Sequence, residues 1–119
     1  MENNIFSTSL TLDLEQFKTF QKVAKVNYSD SSKELRKFMK IFNEKNRQST
    51  IKIDTTPREI GLFDVVLKKK SLKFHREDFR LFKEICNQIE SDASKEVRKF
   101  ISSYLKKNKQ IVEHLSINS

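Results

Sequence analysis

Tryptophan is absent from this 119-residue chain, and cysteine, proline and glycine occur once each. With Cys86 alone, no intrachain disulfide can form. One Gly and one Pro leave few points where regular structure is interrupted, so a mostly helical chain is expected. No run of about 18 apolar residues exists, which excludes a transmembrane helix. The opening MENNIFSTS lacks a basic n-region and a long apolar h-region, so no secretory signal is expected and a soluble cytoplasmic protein is the default. His75 and His114 have no partners at metal-ligand spacing. There is no Ser-His-Asp set, no paired-carboxylate constellation and no Gly-rich phosphate loop. Neither an enzyme nor a cofactor or metal site is expected.

Phenylalanine occurs ten times, and 36% of the residues are hydrophobic, enough for a compact core. Lys and Arg number 24 against 16 Asp and Glu, a net charge of +8. That excess favours polyanionic partners, nucleic acid above all.

The chain also repeats itself. SSKELRKF at 31–38 returns as ASKEVRKF at 93–100. Shifting the sequence by 62 residues aligns 8–46 with 70–108 without a gap. Ser9, Leu10, Glu15, Phe17 and Phe20 then match Ser71, Leu72, Glu77, Phe79 and Phe82. Ser29, Asp30, Ser32, Lys33, Glu34, Arg36, Lys37 and Phe38 match Ser91, Asp92, Ser94, Lys95, Glu96, Arg98, Lys99 and Phe100. Lys45 and Asn46 match Lys107 and Asn108, for 15 identities over 39 positions. One register held this far points to duplication of a structural unit.

Each unit begins with an alternating stretch, FSTSLTL (6–12) or KKKSLKF (68–74), the period of a half-buried strand. A helix follows, with Asp13 as N-cap of the first and Gln16 at capping-box spacing. Phe17, Phe20 and Ala24, beside Val23, form its apolar face; Phe79, Phe82, Ile85, Cys86 and Ile89 form the face of the second. After the turns NYSDS (27–31) and IESDA (89–93) comes a second amphipathic helix. Its stripe is Leu35, Phe38, Met39 and Phe42 in one unit and Val97, Phe100, Ile101, Tyr104 and Leu105 in the other.

This divides the chain into a first unit at 1–46, a linker at 47–67 and a second unit with a tail at 68–119. The linker holds the alternating STIKID, read as a short strand, and Thr56-Pro57, read as the start of a short helix. The tail QIVEHLSINS is expected to extend the last helix by a turn or two and then fray.

A unit of about 40 residues cannot bury enough surface to stand alone, and a lone strand leaves its edge unpaired. Two units solve both problems if their strands pair antiparallel and four helices close over one face. Leu10, Leu12, Leu72 and Phe74 then face inward. Ser7, Ser9, Thr11, Lys69, Ser71 and Lys73 face outward.

In its alternating strand, its apolar helix and the turn and helix start VNYSDSSKELRKFM, the sequence resembles the ribbon-helix-helix family of DNA-binding proteins. The resemblance covers 6–46 and again 68–108. It implies a mainly α fold with a short antiparallel β-ribbon, in which two such units form an intramolecular pseudo-dimer. Tandem members occur among regulators of archaeal filamentous viruses and among plasmid-transfer relaxosome proteins.

The resemblance implies a ribbon lying in the major groove of double-stranded DNA. Ser7, Ser9 and Thr11 on one strand and Lys69, Ser71 and Lys73 on the other would read base edges. Phosphates would be held at the second-helix N-termini, by Ser31, Ser32 and Lys33 and by Ala93, Ser94 and Lys95. Lys68, Lys70 and His75 are candidates for further backbone contacts. Asn27 stands where the family often has Gly, and Ile89 stands in the second copy, which predicts a differently shaped second turn. Asp30 and Asp92 would cap amides close to a phosphate, without touching DNA or at the expense of the clamp. KKKSLKFHR carries five Lys or Arg and FSTSLTL none, so an asymmetric half-site is expected.

The expected activity is transcriptional regulation, with self-association of pseudo-dimers into a dimer or array along DNA. The rivals are a relaxosome or partition accessory protein, an antitoxin-like interaction module, and a helical interaction domain with no DNA role.

Overall fold

The computed structural model describes residues 4–47 and 67–117. In chain order these form β1 (Ile5–Asp13), α1 (Leu14–Val26), α2 (Ser31–Arg47), β2 (Leu67–His75), α3 (Arg76–Gln88), α4 (Ala93–Lys107) and α5 (Lys109–Ile117). Among the described residues the protein is mainly helical, with five helices beside one two-stranded antiparallel sheet. The short strand and short helix expected in the linker lie outside the described residues. No helix among the described residues is long and apolar enough to cross a membrane.

The bounds of β1 and β2, and of α1 and α3, are offset by the same 62 residues as the sequence repeat. Ser9 pairs with its own counterpart, Ser71. From there the ladder runs to Ile5 opposite His75 at one end and Asp13 opposite Leu67 at the other. Paired residues share a face and successive residues alternate. Leu10, Leu12, Leu72 and Phe74 therefore turn toward the helices, and each is at most 6% exposed.

Helix starts follow from short-range chemistry. Asp13 accepts the Gln16 amide hydrogen at 3.2 Å, whereas His75, its counterpart before α3, makes no side-chain cap bond. Asp30 and Asp92 accept the amide hydrogens of Lys33 and Lys95, each at 2.8 Å. Such caps are worth about 1 kcal/mol apiece.

The two helix–helix turns correct one expectation. Asn27 and Ile89 both have negative φ, and the left-handed residue is the next one, Tyr28 at φ 59° and Glu90 at φ 58°. In both turns the amide two residues past the cap reaches back to the last turn, Ser29 to Ala24 at 2.9 Å and Ser91 to Cys86 at 2.8 Å. Tyr28 and Glu90 likewise donate to Lys25 and Asn87. These bonds make a Schellman termination. The turns share one shape because the position that demands positive φ holds neither Asn27 nor Ile89.

The core joins the two halves. α1 packs on α4, and α2 on α3, more extensively than either helix packs on its own unit's partner. Phe38 and Phe100, 62 apart, stack on one another with centroids 4.4 Å apart and planes 18° from parallel. Phe20 meets Phe100 edge-on at 5.9 Å, and Phe82 meets Phe38 at the same distance. Tyr104 on Phe20 (5.1 Å) is matched by Phe42 on Phe82 (5.0 Å). Burying each large apolar side chain contributes about 1.5–3 kcal/mol, and tilted or stacked rings add about 0.5–1.5 more per pair. Cys86 is buried in this core as expected. Burial, then the nearby Glu96 and Asp92 carboxylates, push its thiol up from 9.0 to about 12.

The C-terminal tail departs from its predicted course. α4 stops at Lys107, Asn108 breaks the helix, and α5 begins as a separate helix that packs on α1 and α4. Asn108 caps α4, and its carbonyl accepts the Val112 amide hydrogen of α5. Its Nδ2 bond to the Tyr104 carbonyl at 2.8 Å is matched by Asn46 on Phe42 inside the unbroken α2, so that bond is not what ends α4. Asn27 braces the joint, donating to Tyr104 Oη at 2.9 Å and to Asn108 Oδ1 at 3.1 Å.

Candidate nucleic-acid interface

The ladder register places Ser7, Ser9 and Thr11 directly across from Lys73, Ser71 and Lys69. All six lie on the sheet face that points away from the core. Thr11 is half-buried and the other five are exposed. The two serines sit at the centre, with one lysine toward each end. Lys69 and Lys73 are about 13 Å apart along β2 at strand spacing.

The lysines on this surface are electrostatically uncommitted. Lys33, Lys69, Lys73 and Lys95 have no carboxylate partner among the described residues. Lys37, Lys40 and Lys99 instead pair with Glu34, Asp78 and Glu96 at 3.6, 3.1 and 3.4 Å. Uncompensated charge on a projecting edge is available to an anion, whereas a paired lysine must first give up its carboxylate.

The three residues considered for extra backbone contacts are placed differently. Lys68 and Lys70 alternate with the outer residues and belong to the helix-facing side of β2. Lys70 is half-buried with its ammonium 5.6 Å from the centre of the Phe17 ring, a cation–π contact. Its methylenes extend the apolar face, and its charge is directed away from the outer surface. His75 lies on the outer face at the last pair of the ladder, opposite Ile5.

The helix starts flank the ribbon. In α2 the residues Ser31, Ser32 and Lys33 occupy the first turn, and in α4 these are Ala93, Ser94 and Lys95. The cap aspartates take the amide hydrogens of Lys33 and Lys95. Each helix is left with the two amides before them, Ser31 and Ser32 or Ala93 and Ser94, in its first turn. The Ser94 hydroxyl is engaged by the protein itself, because Thr11 donates its amide hydrogen to Ser94 Oγ at 2.9 Å.

Sequence reasoning missed a further contact at the same place. Arg98 Nη1 donates to the Thr11 carbonyl at 2.7 Å, so both polar groups of the Thr11 backbone are held by α4. The repeat contained this arginine at position six of SSKELRKF and ASKEVRKF. Periodicity cannot tell a guanidinium directed at a strand from one directed at water. No family model matches the chain, and no curated protein or solved structure matches it either.

Proposed function

We propose that this protein is a sequence-specific double-stranded DNA-binding transcriptional regulator built as a ribbon-helix-helix pseudo-dimer in one chain, and that it acts in the cytoplasm. The supporting observation is the register. It gathers Ser7, Ser9, Thr11, Lys69, Ser71 and Lys73 on one solvent-facing side of a two-stranded ribbon, opposite the core. A ribbon of this width enters the major groove. There the lysines donate to guanine O6 and N7, and the hydroxyls donate or accept. Helix starts on both sides carry free amides toward the flanking phosphates.

In this reading β2 supplies most of the affinity and β1 mainly shape and register. One ribbon spans few base pairs, so several copies bind side by side, with the linker or the tail helix α5 as the contact. The decisive experiment is in vitro selection of bound duplexes, followed by salt titration of the selected site. Lys69→Ala with Lys73→Ala lowers affinity and flattens the log–log salt slope, by about 0.9 for each phosphate no longer neutralised. Unchanged affinity and slope in that double variant would sink the proposal. A footprint confined to one short, non-cooperative site would remove the array.

A further inference from the structure

The two ends of the ribbon are held differently. At an antiparallel non-hydrogen-bonded pair, the backbone N–H and C=O point out of the ribbon edge. Thr11 is such a residue: its amide goes to Ser94 Oγ and its carbonyl to Arg98 Nη1. Both bonds come from α4, so this end of β1 is splinted by a helix rooted in the core through Val97 and Ile101, each at most 1% exposed.

The counterpart of Thr11 under the 62-residue offset is Lys73, and the counterparts of Ser94 and Arg98 are Ser32 and Arg36 on α2. Sequence identity at Ser32/Ser94 and Arg36/Arg98 predicts the same two bonds. Neither is formed: among the described residues Ser32 and Arg36 make no side-chain hydrogen bond or ion pair. α2 nevertheless packs on β2 as α4 packs on β1, so the symmetry of the repeat assigns Arg36 to the Lys73 end of the ribbon. Arg36 is half-buried and has no partner among the described residues, and it follows the uncommitted Lys33 by three residues on the same helix.

Resting on the DNA reading above, we propose that the two ends divide the work. Ser94 and Arg98 are positioning residues that hold the Thr11–Lys69 end rigid and make it the sequence-selective end. Arg36 is a phosphate-binding residue at the Ser7–Lys73 end. A planar guanidinium can grip a phosphate with two parallel hydrogen bonds, and at the Thr11 end the matching guanidinium already directs an Nη1 hydrogen at the strand. Fixing the backbone behind Thr11 removes the freedom by which a short side chain would adapt to a wrong base. The Lys73 end keeps that freedom.

The test compares matched substitutions in the full chain. Arg98→Ala and Ser94→Ala should flatten base preference at the base pairs beneath Thr11 and Lys69 while leaving the salt slope unchanged. Arg36→Ala should leave base preference intact and lower the slope by about 0.9. Equal effects from Arg36→Ala and Arg98→Ala, or a slope change confined to Arg98→Ala, overturn the proposal. Should Arg98→Ala fail to fold, Ser94→Ala against Ser32→Ala carries the comparison, because each removes a single hydroxyl.

Amide hydrogen exchange in the absence of DNA reads the splint independently. Thr11 should exchange more slowly than Lys73, by up to about tenfold for one net hydrogen bond, and Ser94→Ala should abolish the difference. Equal exchange at Thr11 and Lys73 in the unmodified protein removes the splint. Absence of salt-dependent duplex binding by the unmodified protein overturns the DNA reading and Arg36's role with it, while exchange still decides the splint.

Discussion

The first and second halves of this protein are most alike where they meet and least alike where they face outward. The ring contacts of Phe20, Phe38 and Tyr104 are repeated almost distance for distance by those of Phe82, Phe100 and Phe42. The outer strand residues share only the central serine pair, with Ser7 and Thr11 replaced by Lys69 and Lys73. A core shared between two copies penalises any change that its mate does not match, because packing tolerates little volume change. A surface strand has no such partner. The pair Asn27 with Tyr104 shows the same coupling: the corresponding positions, Ile89 and Phe42, are both apolar.

The largest expected effect probes that shared core. Phe20→Ala and Phe82→Ala should each cost about 3–5 kcal/mol in denaturant unfolding, and by similar amounts. A difference of more than about 1.5 kcal/mol between them, the worth of one aromatic pair, would mean that the halves are less equivalent than their ring geometry. Phe38→Ala and Phe100→Ala should be non-additive, since both remove the same stacked pair.

A smaller effect tests the asymmetric brace. Asn27→Ile places the second copy's residue in the first and removes the bonds to Tyr104 and Asn108. It should cost about 1 kcal/mol and speed amide exchange in α5, with α3 unaffected. Ile89→Asn supplies no such bonds and should leave α5 unchanged.

The turns provide a contrast in which the halves should agree. Tyr28 and Glu90 both hold a left-handed conformation that costs a residue with a Cβ about 1–2 kcal/mol. Replacement of either by Gly should raise the midpoint of thermal unfolding slightly, because relief of strain outweighs the added unfolded-state entropy of about 0.5–1 kcal/mol. A loss of stability at one turn alone would show that its side chain has a role beyond the bend.

The smallest effect below neutral pH, and a visible one in base, belongs to Cys86. Its folded pKa of about 12 lies above the unfolded 9.0, so the folded state keeps the thiol proton longer. The associated stability is fully present below about pH 9 and is lost as pH rises toward 12. Cys86→Ala, which installs the residue found at the equivalent Ala24, should remove that part of the alkaline decline. Native Cys86 should react slowly with thiol reagents until the protein unfolds.

Much of this protein was determined by local sequence. Alternation in FSTSLTL and KKKSLKF fixed which strand residues face inward, and the apolar stripes fixed the buried helix faces, because both follow from the geometry of one element at a time. The caps Asp30 and Asp92 were legible for the same reason. The 62-residue repeat went further, since copies of one amphipathic unit have complementary faces to bury.

Tertiary structure alone decided the rest. The antiparallel register centred on Ser9 and Ser71 depends on where the two halves come to lie, and so does the direction taken by Lys70, over a ring instead of toward the outer face. The joint between α4 and α5 at Asn108 is braced by Asn27, which is 81 residues away in the chain. Two identical Ser and Arg pairs acquired different partners, one on the Thr11 backbone and one with none among the described residues. Sequence identity fixes what a side chain can bond, and only the surrounding fold fixes which donor comes within reach of which acceptor.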